Sequence, residues 1–480
     1  MQCISVSEGR RYTSAQLAKL LHCTSMKALD FVDKLAKRRI IRKEYLHNGR
    51  LSYIFDYVGL VCIESTLVKV FPKYIREEHC TDELFTIVFK VLKKYSTTID
   101  KIFTTPSTEA EEDPMLAIIS FLIDDYTKYG LYTVEKQHVM CNTSGKIMWN
   151  RTISSSRCIF TNKSPVYTDL YTVRKQTDDG NIIRIIHKTI LSECCCLVDN
   201  AGLGDLFHLY LPPVETSEIE DFWSQSDTFL EEIESALARE FRDREIQLLE
   251  HMKIFIERKT SSFDNSCITS YGTSSFHCVW EEACARVFSD KLRNPLASLN
   301  LPKPLAEQYS PDSTLISLIE KPCWIGNSGD GTFRKYAQQT LIPDIVTIDY
   351  SANTCRLVIL DAKYYSLKLH PDIPLQNHPG IGDVSKQYLY QLAFEQFMQD
   401  HDIREVKNAF LMPSDSCRVE MTGCVELPML HSLGLENILV RKIPASSLFE
   451  AYLQGKTIPI SWIGLDDSEA TGGQTMSVLL

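Results

Sequence analysis

Residues 341–365, LIPDIVTIDYSANTCRLVILDAKYY, decide the reading of this 480-residue chain. From Asp344 to Tyr350 the residues alternate as they do along a strand. Ser351-Ala-Asn-Thr354 supplies turn residues, and Cys355 to Tyr365 is a strongly apolar second strand. A hairpin centred between Ala352 and Asn353 gives paired positions the common sum 705, which sets Asp344 opposite Asp361. Their side chains then share one face of the sheet, with Cβ atoms about 4.5–5.5 Å apart. Lys363 lies two residues past Asp361 and emerges on that face as well.

Facing carboxylates repel, so the arrangement needs a reason. A divalent cation between them supplies one, and hard oxygen ligands select Mg²⁺ or Mn²⁺ over zinc. The chemistry implied is metal-assisted phosphodiester hydrolysis by Asp344, Asp361 and Lys363, the metal activating a water and Lys363 steadying developing charge. The plainer reading makes Asp344 a loop end and Asp361–Lys363 an ordinary ion pair; the apolar VILD strand and the register favour the metal site. Two helical segments fit around it. Residues 276–288 (FHCVWEEACARVF) carry an apolar stripe of Phe276, Trp280, Ala283, Cys284 and Val287. Glu281 lies nearer that stripe than Glu282 and is a further candidate metal or water ligand. Residues 383–397 (DVSKQYLYQLAFEQF) present Gln387, Tyr390, Gln391 and Phe394 at helical spacing. Gln387 is a candidate partner for the bound water or a phosphate oxygen, and Lys386 for the DNA backbone. His277 and His370 are set aside, because no nucleophile motif accompanies either.

The 44% apolar and 24% charged composition is that of an ordinary globular chain long enough for two or three domains. Net charge is −11, yet the first fifty residues hold eleven Lys and Arg against four acids, a local +7. A coat of non-specific nucleic-acid binding is therefore excluded, and any phosphate-binding surface is local. The sixteen cysteines show no Cys-x-x-Cys pair, which favours buried free thiols in a reducing, cytoplasmic setting over zinc. No signal sequence or run of apolar residues long enough for a membrane span is seen. The organisation expected is α/β (α+β) throughout. Residues 1–50 form a winged-helix-like module: a helix capped at Thr13 or Ser14, a second capped at Thr24 or Ser25, and a hairpin turning at Asn48-Gly49. A β-rich mixed region runs over 51–215, with helices from Asp82 to Lys94 and from Met115 to Tyr129 and a surface loop at 104–113. A long charged helical connector covers 216–270, the nuclease region 271–465, and a disordered tail 466–480.

With these residues in hand, the chain resembles the LlaJI-type restriction endonucleases, relatives of the McrC nuclease subunit, with a PD-(D/E)XK active site. The likeness is carried in order by YVGLVCIESTLVKVFPKYI (57–75), GKIMWNRT (145–152), VWEEACARVF (279–288), PDIV (343–346), LDAKYY (360–365) and DVSKQYLYQLAF (383–394). It implies a subunit that cuts double-stranded DNA only with a McrB-like AAA+ GTPase, so that GTP acts solely through the partner. Asp344, Asp361 and Lys363 are the implied core, with Glu281 and Gln387 accessory. No Gly-x-x-x-x-Gly-Lys-Ser/Thr loop occurs in these residues, as that division of labour requires. Two other readings compete: a repair nuclease working without a GTPase, which a solitary gene would favour, and a scaffold whose nuclease fold only binds DNA or a partner. The intact carboxylate pair counts against the scaffold.

Overall fold

The run RLVILDA (356–362) is buried on both faces of its strand, as near-continuous apolar strands inside mixed sheets are. A computed structural model describes residues 2–45, 49–63, 66–98, 115–161, 164–178, 180–200, 222–261, 268–328, 331–351 and 354–466. In the C-terminal region the elements that position the site are helix α1 (Phe276–Val287), strands β1 (Ile345–Ser351) and β2 (Thr354–Ala362), helix α2 (Ile381–Asp400), strands β3 (Glu405–Ser414), β4 (Glu420–Val425) and β5 (Ile438–Pro444), and helix α3 (Ala445–Gln454).

These strands make a five-stranded mixed sheet of order β1-β2-β3-β5-β4. β1 and β2 pair antiparallel from Ile345↔Leu360 to Ser351↔Thr354, the register read from the sequence. β2 runs parallel to β3, and β3 to β5. Parallel neighbours cannot be joined by a tight turn, and the long connection from β2 to β3 contains α2. That helix packs Tyr390, Phe394 and Phe397 into one core cluster with Val346, Leu357 and Ile359. Its first turns place Val384 and Tyr388 against Phe410, Met412 and Val440.

Arg356 begins the buried part of β2 and is itself only 1% exposed. Its Nε donates to Asp349 Oδ2 at 2.8 Å, and Nη1 bonds Asp466. A buried cation left without its carboxylate is costly, so Asp349→Ala should lower unfolding free energy by about 3–5 kcal/mol. Asp466, more than half exposed, should cost under about 1 kcal/mol when replaced by Ala. Urea midpoints of the two variants check the contrast; equal shifts would refute it.

By internal contacts the chain divides into two units that do not follow sequence order. One comprises Cys3–Leu60, Val68–Glu111 and Gly272–Leu480; the other comprises Met1–Gln2, Val61–Leu67 and Glu112–Tyr271. The first thus includes the basic N-terminal segment. Its helices Ser14–Leu20 and Ser25–Lys37 are capped by Thr13 and Thr24, and strands Ile41–Tyr45 and Leu51–Phe55 pair antiparallel. Helix Asp82–Thr98 runs a turn beyond the Lys94 expected.

In the second unit, helix Met115–Tyr129 has the expected bounds and packs with helices Ile182–Asn200 and Asp243–Ser261, both of which also meet helix Ser226–Leu237. The single long connector helix is corrected: two helices stand there. No Gly or Pro was needed to break it. The Glu240 carboxylate accepts from the backbone N–H groups of Phe241 and Arg242, holding the turn that leads into the second helix. Among the described cysteines only Cys194 and Cys284 are buried, so the expectation of mostly buried thiols fails, though all are free. The loop 104–113 and the tail from 467 lie outside the described residues. Among the described residues no helix is long and apolar enough to cross a membrane.

Candidate active site

Strand pairing brings the two aspartates together. Asp344 immediately precedes β1, and its Oδ2 accepts the Ala362 backbone N–H at 3.0 Å, clasping the end of β2. Its carboxyl group lies within hydrogen-bonding reach of Asp361. Burial, and then Asp361, hold Asp344 far above the usual carboxylate range. Asp361 is 5% exposed and meets Lys363 Nζ at 3.1 Å. Burial alone would depress Lys363, but Asp361, Asp344 and Asp383 outweigh it, and the ammonium is held protonated above its ordinary value.

Asp383 was not singled out in the sequence. It sits in the first turn of α2, with Oδ1 3.3 Å from Lys363 Nζ. Acidic residues favour helix N-termini in any case, so its type alone carried no signal. Tyr390, two turns further on, feels Asp361 and Asp344, and its hydroxyl donates to the Ile342 carbonyl at 2.8 Å. That bond holds the segment leading into Asp344.

α1 approaches the same group. The Trp280 indole Nε1 donates to the Leu411 carbonyl of β3 at 3.1 Å, and the Lys363 backbone N–H donates to the same oxygen at 2.9 Å. One acceptor thereby ties the helix bearing Glu281 to the residue bearing the ammonium. Glu281 is half-buried; burial raises its pKa, Lys363 lowers it and Asp361 raises it. Glu282 instead pairs with Arg286 at 2.8 Å, so Glu281 is the member of the pair turned to the site, as its place on the helical wheel indicated. His277, set aside in the sequence reading, lies one turn before Glu281. Burial, Lys73 and Lys363 all lower its pKa, which keeps the ring neutral. Its four-residue spacing from Glu281 was the available signal.

Gln387 is fully buried in α2, and neither side-chain amide atom has a hydrogen-bond partner among the described residues. Its backbone carbonyl accepts from Asn408 Nδ2 at 3.0 Å. Lys386 is exposed. Beyond Lys363, the Tyr364 hydroxyl bonds Glu8, and Lys73 Nζ lies 4.3 Å over the Tyr364 ring, fastening the motif to the N-terminal strand. A cleft of about 880 Å³ opens there, lined by Lys73, Arg76, Tyr365, Lys368, Asp415 and Lys442.

Among the described residues no group of three His, Cys, Asp or Glu is arranged to hold a metal ion. The donor set available is the Asp344–Asp361 pair, with Glu281 acting through space. Two carboxylates suit Mg²⁺, which binds through one or two of them and keeps the rest of its shell as water and substrate phosphate. The pair, only partly compensated by Lys363, with burial and Asp361 disfavouring the Asp344 charge, fits a site completed by a cation.

Type II restriction enzyme BsuMI component YdjA of Bacillus subtilis (strain 168) is 27% identical over 415 residues, covering 84% of this chain and 82% of that protein. Among solved structures, a Thermococcus gammatolerans assembly of McrB AAA+ hexamers with bound McrC aligns over 94% of this chain and 99% of that one, at 13% identity and a TM-score of 0.40. The cryo-EM structure of the Thermococcus gammatolerans McrBC complex aligns over 54% and 88%, at 13% identity and a TM-score of 0.23. The model of the LlaJI restriction endonuclease family matches residues 57–450, a span that holds every residue of the site from Lys73 to Leu411, and the chain belongs to that family.

Proposed function

We propose that this restriction endonuclease component hydrolyses DNA phosphodiester bonds with Mg²⁺ or Mn²⁺ held by Asp344 and Asp361. The observation that carries the reading is the contact of those two carboxyl groups beside a Lys363 ammonium held charged by its neighbours. The bound cation supplies a water of lowered pKa and neutralises charge on the phosphate. The chain's own residues do the rest. Lys363 remains protonated at neutral pH, so it is not the base; it orients the water and steadies the negative charge that grows on the phosphoryl oxygens. Glu281, shifted upward by burial and standing beside the carboxylate pair, receives the water's proton. A new P–O bond forms to the water oxygen, and the bond to the leaving sugar oxygen breaks. Trp280 and Tyr390 position the groups without touching substrate. Gln387, buried and without a side-chain partner among the described residues, supports the same reading as a reserve donor toward the water.

The partner is a McrB-like AAA+ GTPase. This rests on the family's motifs and on the missing P-loop in these 480 residues. The test is cleavage of supercoiled plasmid with Mg²⁺, with and without the partner and GTP. Cutting should need all three and stop on adding EDTA. Robust specific cutting by the pure chain would remove the partner from the proposal, and cutting in EDTA would remove the metal.

A further inference from the structure

Upstream of Asp344 the catalytic unit carries a two-stranded ribbon, Cys323–Ser328 paired antiparallel with Gly331–Tyr336. Ribbons kept for packing bury a face; this one buries neither. Trp324 is 73% exposed, Ile325 61% and Tyr336 66%. Directly opposite residues share a face, so Trp324, Lys335 and Phe333 lie on one side, and Ile325, Arg334 and Tyr336 on the other. The Phe333 ring rests so closely on Gly326 that a Cβ there would meet it at 2.5 Å. That contact stiffens the blade without hiding it. Neither strand carries a carboxylate, so Arg334 and Lys335 have no acidic partner within the paired strands.

The base, by contrast, is fixed. The Thr340 hydroxyl donates to the Glu320 carbonyl at 2.8 Å, and Ile319 sits in the core cluster with Val346, Leu357 and Ile359. The Tyr390 bond to Ile342 holds the following segment. A rigid root with a wet, aromatic and cationic blade is suited to a polyanionic partner.

We infer that this ribbon enters the major groove of duplex DNA beside the cut, with Arg334 and Lys335 meeting phosphates or guanine edges and Trp324 and Phe333 lying against the groove wall. The groove, about 12 Å wide, admits a two-stranded ribbon. Asp344 lies eight Cα–Cα steps beyond Tyr336. At no more than about 3.6 Å each they span at most about 29 Å, roughly eight base pairs. The placement relative to the cut rests on the proposed nuclease site; the DNA contact itself does not.

The test uses the full chain, a 30-base-pair duplex and fluorescence anisotropy at low salt in EDTA, where no metal chemistry runs. Arg334→Ala with Lys335→Ala should weaken binding at least about tenfold and reduce the slope of log affinity against log salt by up to about 1.8, two contacts at about 0.9 each. Trp324→Ala should weaken it severalfold. All three side chains are exposed, so melting curves should not move. Unchanged affinity in these variants, or no binding by the unsubstituted chain, overturns the inference. Unchanged affinity together with lost association with an AAA+ partner or a second copy assigns the ribbon to protein docking instead. Should Asp361→Asn still cut DNA, the nuclease site falls while the ribbon's affinity result stands.

Discussion

Asp361→Asn is expected to cut plasmid cleavage by at least about 10³-fold while leaving the metal-free protein as stable as before, or more so. The two halves of this result have one cause. Asp344 binds its proton more tightly in the folded chain than in the unfolded one, because burial and the Asp361 carboxylate disfavour its charge, with Glu281 adding to them and Lys363 opposing. For an acid whose folded pKa is raised, the stabilising contribution is complete below the ordinary value near 4 and is lost as pH rises toward the raised one. The metal-free chain should therefore melt at lower temperature at pH 8 than at pH 5. Removing the Asp361 charge flattens that fall. Mg²⁺ should raise the melting temperature of the unsubstituted chain and barely change that of the variant, since a ligand stabilises only the state that binds it. Cleavage surviving the substitution, or a variant less stable at pH 8 than its parent, would defeat the assignment.

The second large effect falls on Trp280. It is fully buried, meets Phe449 edge-on at 5.9 Å between ring centres, and bonds the Leu411 carbonyl. Trp280→Ala should cost about 3–5 kcal/mol of stability, by lost contacts and the cavity left behind. Trp280→Phe separates packing from tethering. It keeps most of the volume, and Leu411 still accepts from Lys363, so the chain should fold with a smaller loss. Cleavage should nevertheless drop, because the helix carrying Glu281 has lost its bond to the strand beside Lys363. Urea titration gives the first quantity and plasmid turnover the second. A Trp280→Phe chain as active as its parent would show that the indole bond positions nothing.

How much of this was legible beforehand follows from chain distance. The Asp344–Asp361 contact comes from a hairpin, where alternation and a short turn fix the register locally, and the ladder from Ile345↔Leu360 obeys it. Lys363 follows from the same period. Glu281 was placed by the stripe of its own helix. The bond from Trp280 to Leu411 spans 131 residues, and the approach of Asp383 to Lys363 depends on how a crossover helix lands; no local pattern encodes either. Arg356 is a charged residue inside the stretch read as a strongly apolar strand. Only its pairing with Asp349 across the hairpin and with Asp466 explains why a cation is tolerated there. The connector failed for the opposite reason: a strong helical composition concealed a break at 238–242, where Glu240 bonds the backbone of the turn.

The shared Leu411 carbonyl also sets an order of assembly. Lys363 and Trp280 are synthesised before the oxygen they both need, and β3 in turn pairs with β5, ending at Pro444. A chain still emerging from the ribosome, or one cut short before that strand, holds two mutually repelling acids and an untethered helix. Until β3 is in place, Trp280 and the Lys363 backbone N–H lack the oxygen that ties α1 to the end of β2.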